Sequence, residues 1–425
     1  GAQVNTILSP YGKKIGPDPA SINAAMIGGI AANNASGMCC GISQNSYKTL
    51  KSIKLIMADG TRLDTGNDDS KKRFKEKHYK FIEDLKRLAI QTNADKKLKK
   101  LIQKKYKIKN TCGYSLNALV DFDDEFDILA HLIIGSEGTL AFIEEITYYT
   151  VEDYANKASA LVFYKNIETA CDVVTKLKMA KDSKKIIVDA VELMDNRALK
   201  TVQDKEGMPE YLKDFDKNVT ALLIETRAQS KEALISQVED IEKLLEKFET
   251  VRDVEFTSKE EEYSLFWKIR KGLFPAVGAV RKIGTTVIIE DVAYPIEYLS
   301  QATLELQELF VKHGYDEALI FGHALEGNFH FVFTQDFNDE KEIVRYDNFM
   351  NDVTQSVAVK YQGSLKAEHG TGRNMAAFIE LEWGQTAYKI MESIKNIFDT
   401  KGILNPGVII NYDKKAHLKN LKPLP

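Results

Sequence analysis

The run Phe321-Gly-His-Ala-Leu-Glu-Gly-Asn-Phe-His330 constrains the fold of this chain more than any other segment. Apolar stretches flank it, Ala318-Leu-Ile-Phe before and Phe331-Val-Phe after, and Glu326-Gly327 or Gly327-Asn328 supplies a tight turn. It therefore reads as strand, turn and strand. With Glu326 and Gly327 as a two-residue turn, His323 stands directly opposite His330, their Cβ atoms about 4.5–5.5 Å apart. Two imidazoles at that separation can share one metal ion at about 2.0–2.1 Å each. Downstream, Ala367-Glu-His-Gly-Thr-Gly372 offers Glu368 as a third ligand and leaves His369 for proton transfer. Three protein ligands keep a coordination position open for substrate. Two histidines on paired strands are also ordinary packing residues, so the rest of the chain has to decide.

At 425 residues the chain is too long for one core and is expected to form two or three domains. Its 44% hydrophobic and 28% charged residues are those of a soluble enzyme. No apolar stretch approaches the roughly 18 residues that span a bilayer, and the first residues show no secretory signal. They also lack an initiator Met, which puts the natural start upstream. The four cysteines have no C-x-x-C spacing, so they build neither a disulfide framework nor a zinc or iron–sulfur site. A reducing, cytoplasmic setting is expected. Charge is unevenly spread: residues 71–110 hold 16 Lys and Arg against 4 Asp and Glu, leaving the rest of the chain acidic. Such a block is usually a solvated helical face, and it can also touch an anionic membrane surface. Nucleic acid is not expected as a partner.

Along the chain, short apolar runs alternate with Gly, Pro, Asn and Ser turns up to about residue 65. Lys54–Leu63 forms a hairpin closed by Asp59-Gly60. Residues 67–110 read as a basic helical insertion. His131–Gly135 and Leu140–Tyr148 then resume strands. Further on, strands are expected at Ala158–Tyr164, Ile186–Leu193, Val219–Thr226, Val251–Phe256 and Thr285–Asp291, with helices at Ile167–Ala180 and Lys231–Phe248. That rhythm suggests a ferredoxin-like α+β sheet. A last helix, about Gln385–Thr400, stops at Lys401-Gly402. The segments proposed are 1–152, 153–375 and 376–425, the last returning to the first.

Two Gly-rich turns mark the first segment. Pro17-Asp-Pro-Ala-Ser21 runs into Ile27-Gly-Gly-Ile-Ala-Ala-Asn-Asn-Ala-Ser-Gly37, and the second turn is Gly135-Ser-Glu-Gly-Thr-Leu-Ala-Phe-Ile143. Glycines between apolar strands let backbone N–H groups approach a ligand, and small neighbours leave room for a flat ring. Neither turn fits a Rossmann or Walker pattern, so nicotinamide and nucleoside triphosphate sites have no support.

Together and in this order, these motifs resemble the vanillyl-alcohol-oxidase-type flavoproteins, specifically the FAD-linked D-2-hydroxyacid dehydrogenases. They look most like bacterial D-lactate dehydrogenases that carry an appended iron–sulfur region. The resemblance runs from Ile15 to Val408. It implies an α+β chain: part of an FAD-binding domain, and a ferredoxin-like substrate (cap) domain. By that resemblance Pro17, Asp18, Ala20, Ser21, Gly28, Gly29, Asn34, Ser36, Gly37, Glu137, Gly138, Thr139 and Ile143 line FAD. Gly113, Tyr114 and Asn117 lie near it, and Asn405 turns back to the flavin. His323, His330 and Glu368 match the ligands of a divalent metal (zinc, manganese or iron), and His369 the base. Arg270 matches an arginine on the substrate carboxylate, and Asn328 a polar residue pointing at substrate. The family begins with a further subdomain gripping the FAD pyrophosphate; this chain is expected to start after it. Relatives specific for a dicarboxylate carry a Lys where this chain has Ile289, which implies a small monocarboxylate such as D-lactate.

The residue types suit oxidation of a 2-hydroxy acid on their own terms. A metal lowers the hydroxyl pKa, Arg270 grips a carboxylate with two hydrogen bonds, and His369 takes a proton near neutral pH. Arg270 is equally suited to a surface salt bridge with Glu261 or Glu262. Electrons then leave for a quinone, a cytochrome or an iron–sulfur centre. The polar Lys-Pro-Leu-Pro end is expected to lead to such a module beyond Pro425. Two other classes stay open: a metal hydrolase with Glu326 as base, and a cofactor-free interaction fragment.

Overall fold

A computed structural model describes residues 1–273 and 281–422 of the chain. Pro423 to Pro425, the end of the expected polar tail, lie outside the described residues. The chain divides into two units, 1–153 with 363–419, and 154–362 with the last residues. Residues 363–375, which hold Glu368 and His369, therefore sit in the first unit.

The first unit is built on short strands: β1 (Lys13–Ile15), β2 (Leu50–Ile56), β3 (Arg62–Asp64), β4 (Phe142–Tyr148) and β5 (Thr150–Glu152). β3, β2 and β4 form one antiparallel sheet, and β1 pairs with β5. The β2–β3 connection turns at Gly60, whose φ of 81° favours glycine. The basic insertion is three helices, Asp68–Lys77, Tyr79–Ala94 and Lys96–Lys105. Asn67 and Asp95 cap the first and third by accepting from backbone N–H groups. Phe74, Ile82, Leu85, Leu88, Leu98 and Ile102 turn inward at helical spacing.

One expectation here is corrected. His131 lies in a helix, Glu125–Ile133, and not in a strand. The Asp124 side chain accepts from Phe126 N and Asp127 N and starts that helix, an N-cap signal that the apolar run His131–Gly135 concealed. The last long helix starts at Gln385 as expected, just after the non-helical Gly384, and runs to Phe398; a shorter helical stretch from Ile379 precedes the kink.

The second unit holds β6 (Asn156–Tyr164), β7 (Ala190–Met194), β8 (Thr220–Ala228), β9 (Thr285–Ala293), β10 (Leu319–His323) and β11 (Asn328–Asp336). They form one six-stranded sheet in the order β6-β8-β7-β10-β11-β9, antiparallel throughout. Val251–Phe256 forms no strand; Val251 N donates to the Phe163 carbonyl and Thr257 bridges to Ser159. One face carries Leu161, Met194, Leu223, Phe321 and Val332 against Ile269 and Leu273 of the segment 260–273. The other packs Phe331 and Phe333 on Phe310 and Phe349 from the helices Leu299–Lys312 and Glu340–Thr354. Burial on both faces explains why these strands read as continuous apolar runs.

Candidate active site

In the second unit, antiparallel pairing sets four polar side chains in a row across four neighbouring strands. Glu192 on β7 pairs with His323 on β10, and His330 on β11 pairs with Asp291 on β9. The expected direct pairing of His323 with His330 is corrected: Phe321 stands opposite His330. The connection is longer than two residues, a 3-10 turn Ala324–Glu326 closed by Gly327 at φ 66°. A Cβ at Gly327 would land 2.1 Å from the Tyr294 carbonyl oxygen, so this turn requires glycine. The slip is two residues, which keeps both imidazoles on one face as diagonal neighbours.

Their Nε2 atoms face each other 3.5 Å apart. Each Nδ1 is turned to an acid that is fully buried: Glu192 Oε1 lies 2.6 Å from His323 Nδ1, and Asp291 Oδ1 lies 3.2 Å from His330 Nδ1. Two nitrogens each about 2.05 Å from a common ion, and 3.5 Å from one another, subtend roughly 115–120° at it, near the tetrahedral angle of a zinc-type site. The donor set fits a divalent metal.

Both expected substrate residues of this unit join the row. Arg270 Nε donates to Glu192 Oε2 at 2.7 Å, and its guanidinium lies 4.5 Å from the centre of the Phe321 ring. It is 8% exposed; its partner is neither Glu261 nor Glu262 but an acid 78 residues away. Asn328 Nδ2 donates to Asp291 Oδ1 at 2.7 Å. Ile289, two residues before Asp291 on the same strand, packs against the apolar cluster of this face. Glu326 sits 3.7 Å from Lys178, and the pair gives the hydrolase reading no activated base.

In the first unit, Glu368 Oε2 accepts from Lys109 Nζ at 2.7 Å and Ser36 Oγ at 2.9 Å, all three groups buried. Lys109 also donates to the Gly37 carbonyl. His369 is exposed, its imidazole 3.9 Å from Glu368. Glu137 accepts from Thr371 N and Gly372 N, while Asn405 donates to its backbone carbonyl. Burial raises the Glu137 carboxyl to about 7 despite those bonds. Gly113 N donates to Thr371 Oγ1, and Tyr114 shares a 2.8 Å bond with Thr139. Asp18 accepts from Cys39 N and Cys40 N, so its side chain fastens the Pro17–Ser21 turn to the turn that follows Gly37. Pro17 is buried beside it, whereas Ala20 and Ser21 are exposed and Ile143 half-buried.

The structure tests whether these residues suit a flavin. Asn117 Oδ1 and Ser136 Oγ are buried without a hydrogen-bond partner, which a polar ring edge would remedy. Beside Gly29 and Gly138 a Cβ would meet nothing within 4 Å, and Gly28 faces only the Ile143 carbonyl. A cavity of about 170 Å³ is lined by Asn34, Ser36, Lys109, Asn110 and Asn117 among others. That is smaller than the roughly 300–1,000 Å³ of a drug-sized site, so it suits part of such a cofactor. The residues fit.

Sequence reasoning missed Glu192, Lys109 and Lys105. Glu192 lies inside the apolar run Ala190-Val-Glu-Leu-Met194, where a lone acid in a buried strand was the available signal. The lysines were hidden in the charge block. Lys105 is 3% exposed and 3.3 Å from Glu382.

Residues 154–409 match the family described as FAD linked oxidases, C-terminal domain, and residues 1–66 match the FAD binding domain. The chain belongs to the FAD-linked oxidases. It is 29% identical over 293 residues to glycolate oxidase subunit GlcD of Bacillus subtilis (strain 168), covering 68% of this chain and 58% of that one. It is 25% identical over 422 residues to D-lactate dehydrogenase (cytochrome), mitochondrial, of Kluyveromyces lactis, covering 98% and 61%. D-2-hydroxyglutarate dehydrogenase of Haemophilus influenzae matches at 25% over 449 residues, 99% and 42%. The chain thus spans about six tenths of the first two relatives. Among solved structures, p-cresol methylhydroxylase with substrate bound aligns with a TM-score of 0.62 at 12% identity, over 96% of this chain and 74% of that one. Alkyldihydroxyacetonephosphate synthase aligns at 0.55 and 16%, over 96% and 62%. The fold of this FAD-linked oxidase is the vanillyl-alcohol-oxidase type.

Proposed function

We propose that this FAD-linked oxidase oxidises a small D-2-hydroxy acid, D-lactate to pyruvate fitting best, assisted by a divalent metal (zinc, manganese or iron) on His323 and His330. The observation that carries the reading is the row Glu192, His323, His330, Asp291, whose paired imidazoles converge beside Arg270 and Asn328. When bound, FAD accepts the hydride and the metal acidifies the substrate hydroxyl. Arg270, braced on Glu192, presents a fixed cation to the carboxylate, and Asn328, held by Asp291, is the polar side chain directed at substrate. His369 takes the hydroxyl proton. Glu368 belongs to the first unit, and its role as third ligand stands on its sequence motif.

Ile289 on the histidine face offers no cation to a second carboxylate, which favours D-lactate or glycolate over D-2-hydroxyglutarate. Electrons then pass to a quinone, a cytochrome or an iron–sulfur centre. None of the four cysteines forms a disulfide, which supports a cytoplasmic setting. Among the described residues no helix is long and apolar enough to cross a membrane. A peripheral membrane contact through residues 71–110 is part of the proposal.

The test is anaerobic: the protein is loaded with FAD and the visible flavin band followed on adding D-lactate or L-lactate. Bleaching by the D isomer alone, lost with a chelator or in His323→Ala, is the expected result. Bleaching indifferent to chelator and to His323→Ala overturns the metal's role. A flavin that only glycolate or D-2-hydroxyglutarate bleaches moves the substrate within the family.

A further inference from the structure

We infer that Glu192 is a positioning residue that dictates which ring nitrogen of His323 carries the proton, and that it locks this ligand to Arg270. Its two carboxylate oxygens are divided between two partners, His323 Nδ1 at 2.6 Å and Arg270 Nε at 2.7 Å, and the residue is fully buried. Arg270 has only donors to offer, so it holds Glu192 as an anion and an acceptor. His323 must then donate from Nδ1. The lone pair is left on Nε2, the nitrogen that faces His330 across 3.5 Å. An acid on the far nitrogen of a histidine ligand fixes its tautomer and raises its basicity, and losing it typically costs 10–100-fold in metal affinity.

On the other side Asp291 Oδ1 lies 3.2 Å from His330 Nδ1, an ion-pair distance, and the same oxygen accepts from Asn328 Nδ2. Each acid therefore stands between one imidazole and one side chain proposed to face substrate. The two halves are not equivalent. Glu192 uses separate oxygens, and this makes the outcome of one substitution derivable.

In Glu192→Gln one oxygen becomes an NH2 donor. Arg270 cannot accept a hydrogen bond, so the remaining amide oxygen must face Arg270 and the NH2 must face His323. His323 can accommodate a donor only by accepting at Nδ1, which moves its proton to Nε2. The ligand nitrogen is then blocked although the imidazole, the arginine and the packing volume are all retained. Removing a purely structural contact would lower the melting temperature without moving that proton.

The experiment uses the full 425-residue chain, 15N-labelled at histidine, free of metal. Long-range 1H–15N spectra report the tautomer, with His323→Ala assigning the signal. Protonation of His323 at Nδ1 in the wild type and at Nε2 in Glu192→Gln is expected. So is a 10–100-fold weaker affinity of the variant for Zn2+, read by competition with a chromophoric chelator. An Nε2–H tautomer in the wild type, or an unchanged tautomer and Zn2+ affinity in Glu192→Gln, overturns the inference. The wild-type spectrum alone decides the matter should the variant not fold. The affinity arm rests on the metal reading proposed above, whereas the tautomer arm does not: Zn2+ binding unchanged in His323→Ala would sink the metal reading and leave the tautomer result standing.

Discussion

The two units bury acids in different ways. In the second unit, Glu192 and Asp291 face imidazoles, an arginine and an amide, groups whose hydrogen-bond directions are rigid. In the first, Glu368 and Glu382 are met by Lys109 and Lys105, compact charges on flexible stems. The lysine pairs join distant parts of one unit: Lys105 also donates to the Gly363 carbonyl, and Glu382 accepts from Asn110 and Leu365 N. Planar partners orient chemistry. Lysines fasten chain segments.

That contrast can be broken most severely at the histidines. His330→Ala is expected to lower turnover by roughly a thousandfold, the several kcal/mol of charge stabilisation a metal supplies. The same change is expected to leave the first unit's unfolding untouched. The chain's two tryptophans separate these readouts, since Trp383 lies in the first unit and Trp267 in the second. Lys109→Met is next. It leaves Glu368 buried without its cation, which costs about 3–5 kcal/mol. Denaturant unfolding followed by Trp383 in a Trp267→Phe background should show that loss, while Trp267 in a Trp383→Phe background reports an unmoved second unit. A transition that moves equally for both tryptophans would mean that the lysine pair does not act locally.

Glu137 sharpens the comparison through pH. Its carboxyl is raised above the ordinary value of 4.5 to about 7 by burial, so between those values the folded state holds more protons than the unfolded one. Stability of the first unit should therefore fall as pH rises through that window, by at most about 3 kcal/mol, and level off above it. Glu137→Gln should flatten the slope when denaturation midpoints at pH 5 and 7.5 are compared. The smallest effect is expected from Ile289→Lys. A cation on the histidine face should shift preference from D-lactate toward D-2-hydroxyglutarate by about five- to tenfold in kcat/KM, the worth of about 1 kcal/mol from one half-exposed ion pair.

Much of the second unit was legible in the residues. Its apolar runs, the helix Ile167–Asp182 and the His hairpin all follow from period and turn chemistry. The register was not, because Gly327 closes a three-residue 3-10 turn and a sequence does not show how many residues precede an αL glycine. Parity saved the site, since a slip of two keeps a side chain on its face. Glu192 escaped because its meaning depends on which strand becomes the neighbour of β10, and β7 lies more than a hundred residues upstream. In the first unit, charge misled: sixteen basic residues suggested solvent, and nothing local separates Lys105 and Lys109 from the exposed lysines around them. The expected strand at His131 failed for a nearer reason, the cap at Asp124.

The discontinuity of the first unit has a consequence for synthesis. Lys109 waits for a partner 259 residues further on, whereas nearly all of the second unit is one continuous stretch. At about 5–20 residues per second, roughly 15–50 s separate the emergence of residue 153 from that of residue 419. Until residues 368 and 382 emerge, the nascent first unit carries Lys109 and Lys105 without the acids that meet them in the fold, while the stretch 154–362 already has its strands at hand. The enclosed unit is thus positioned to finish first, and the enclosing one to close around its own last fifty-odd residues only when the ribosome has released them.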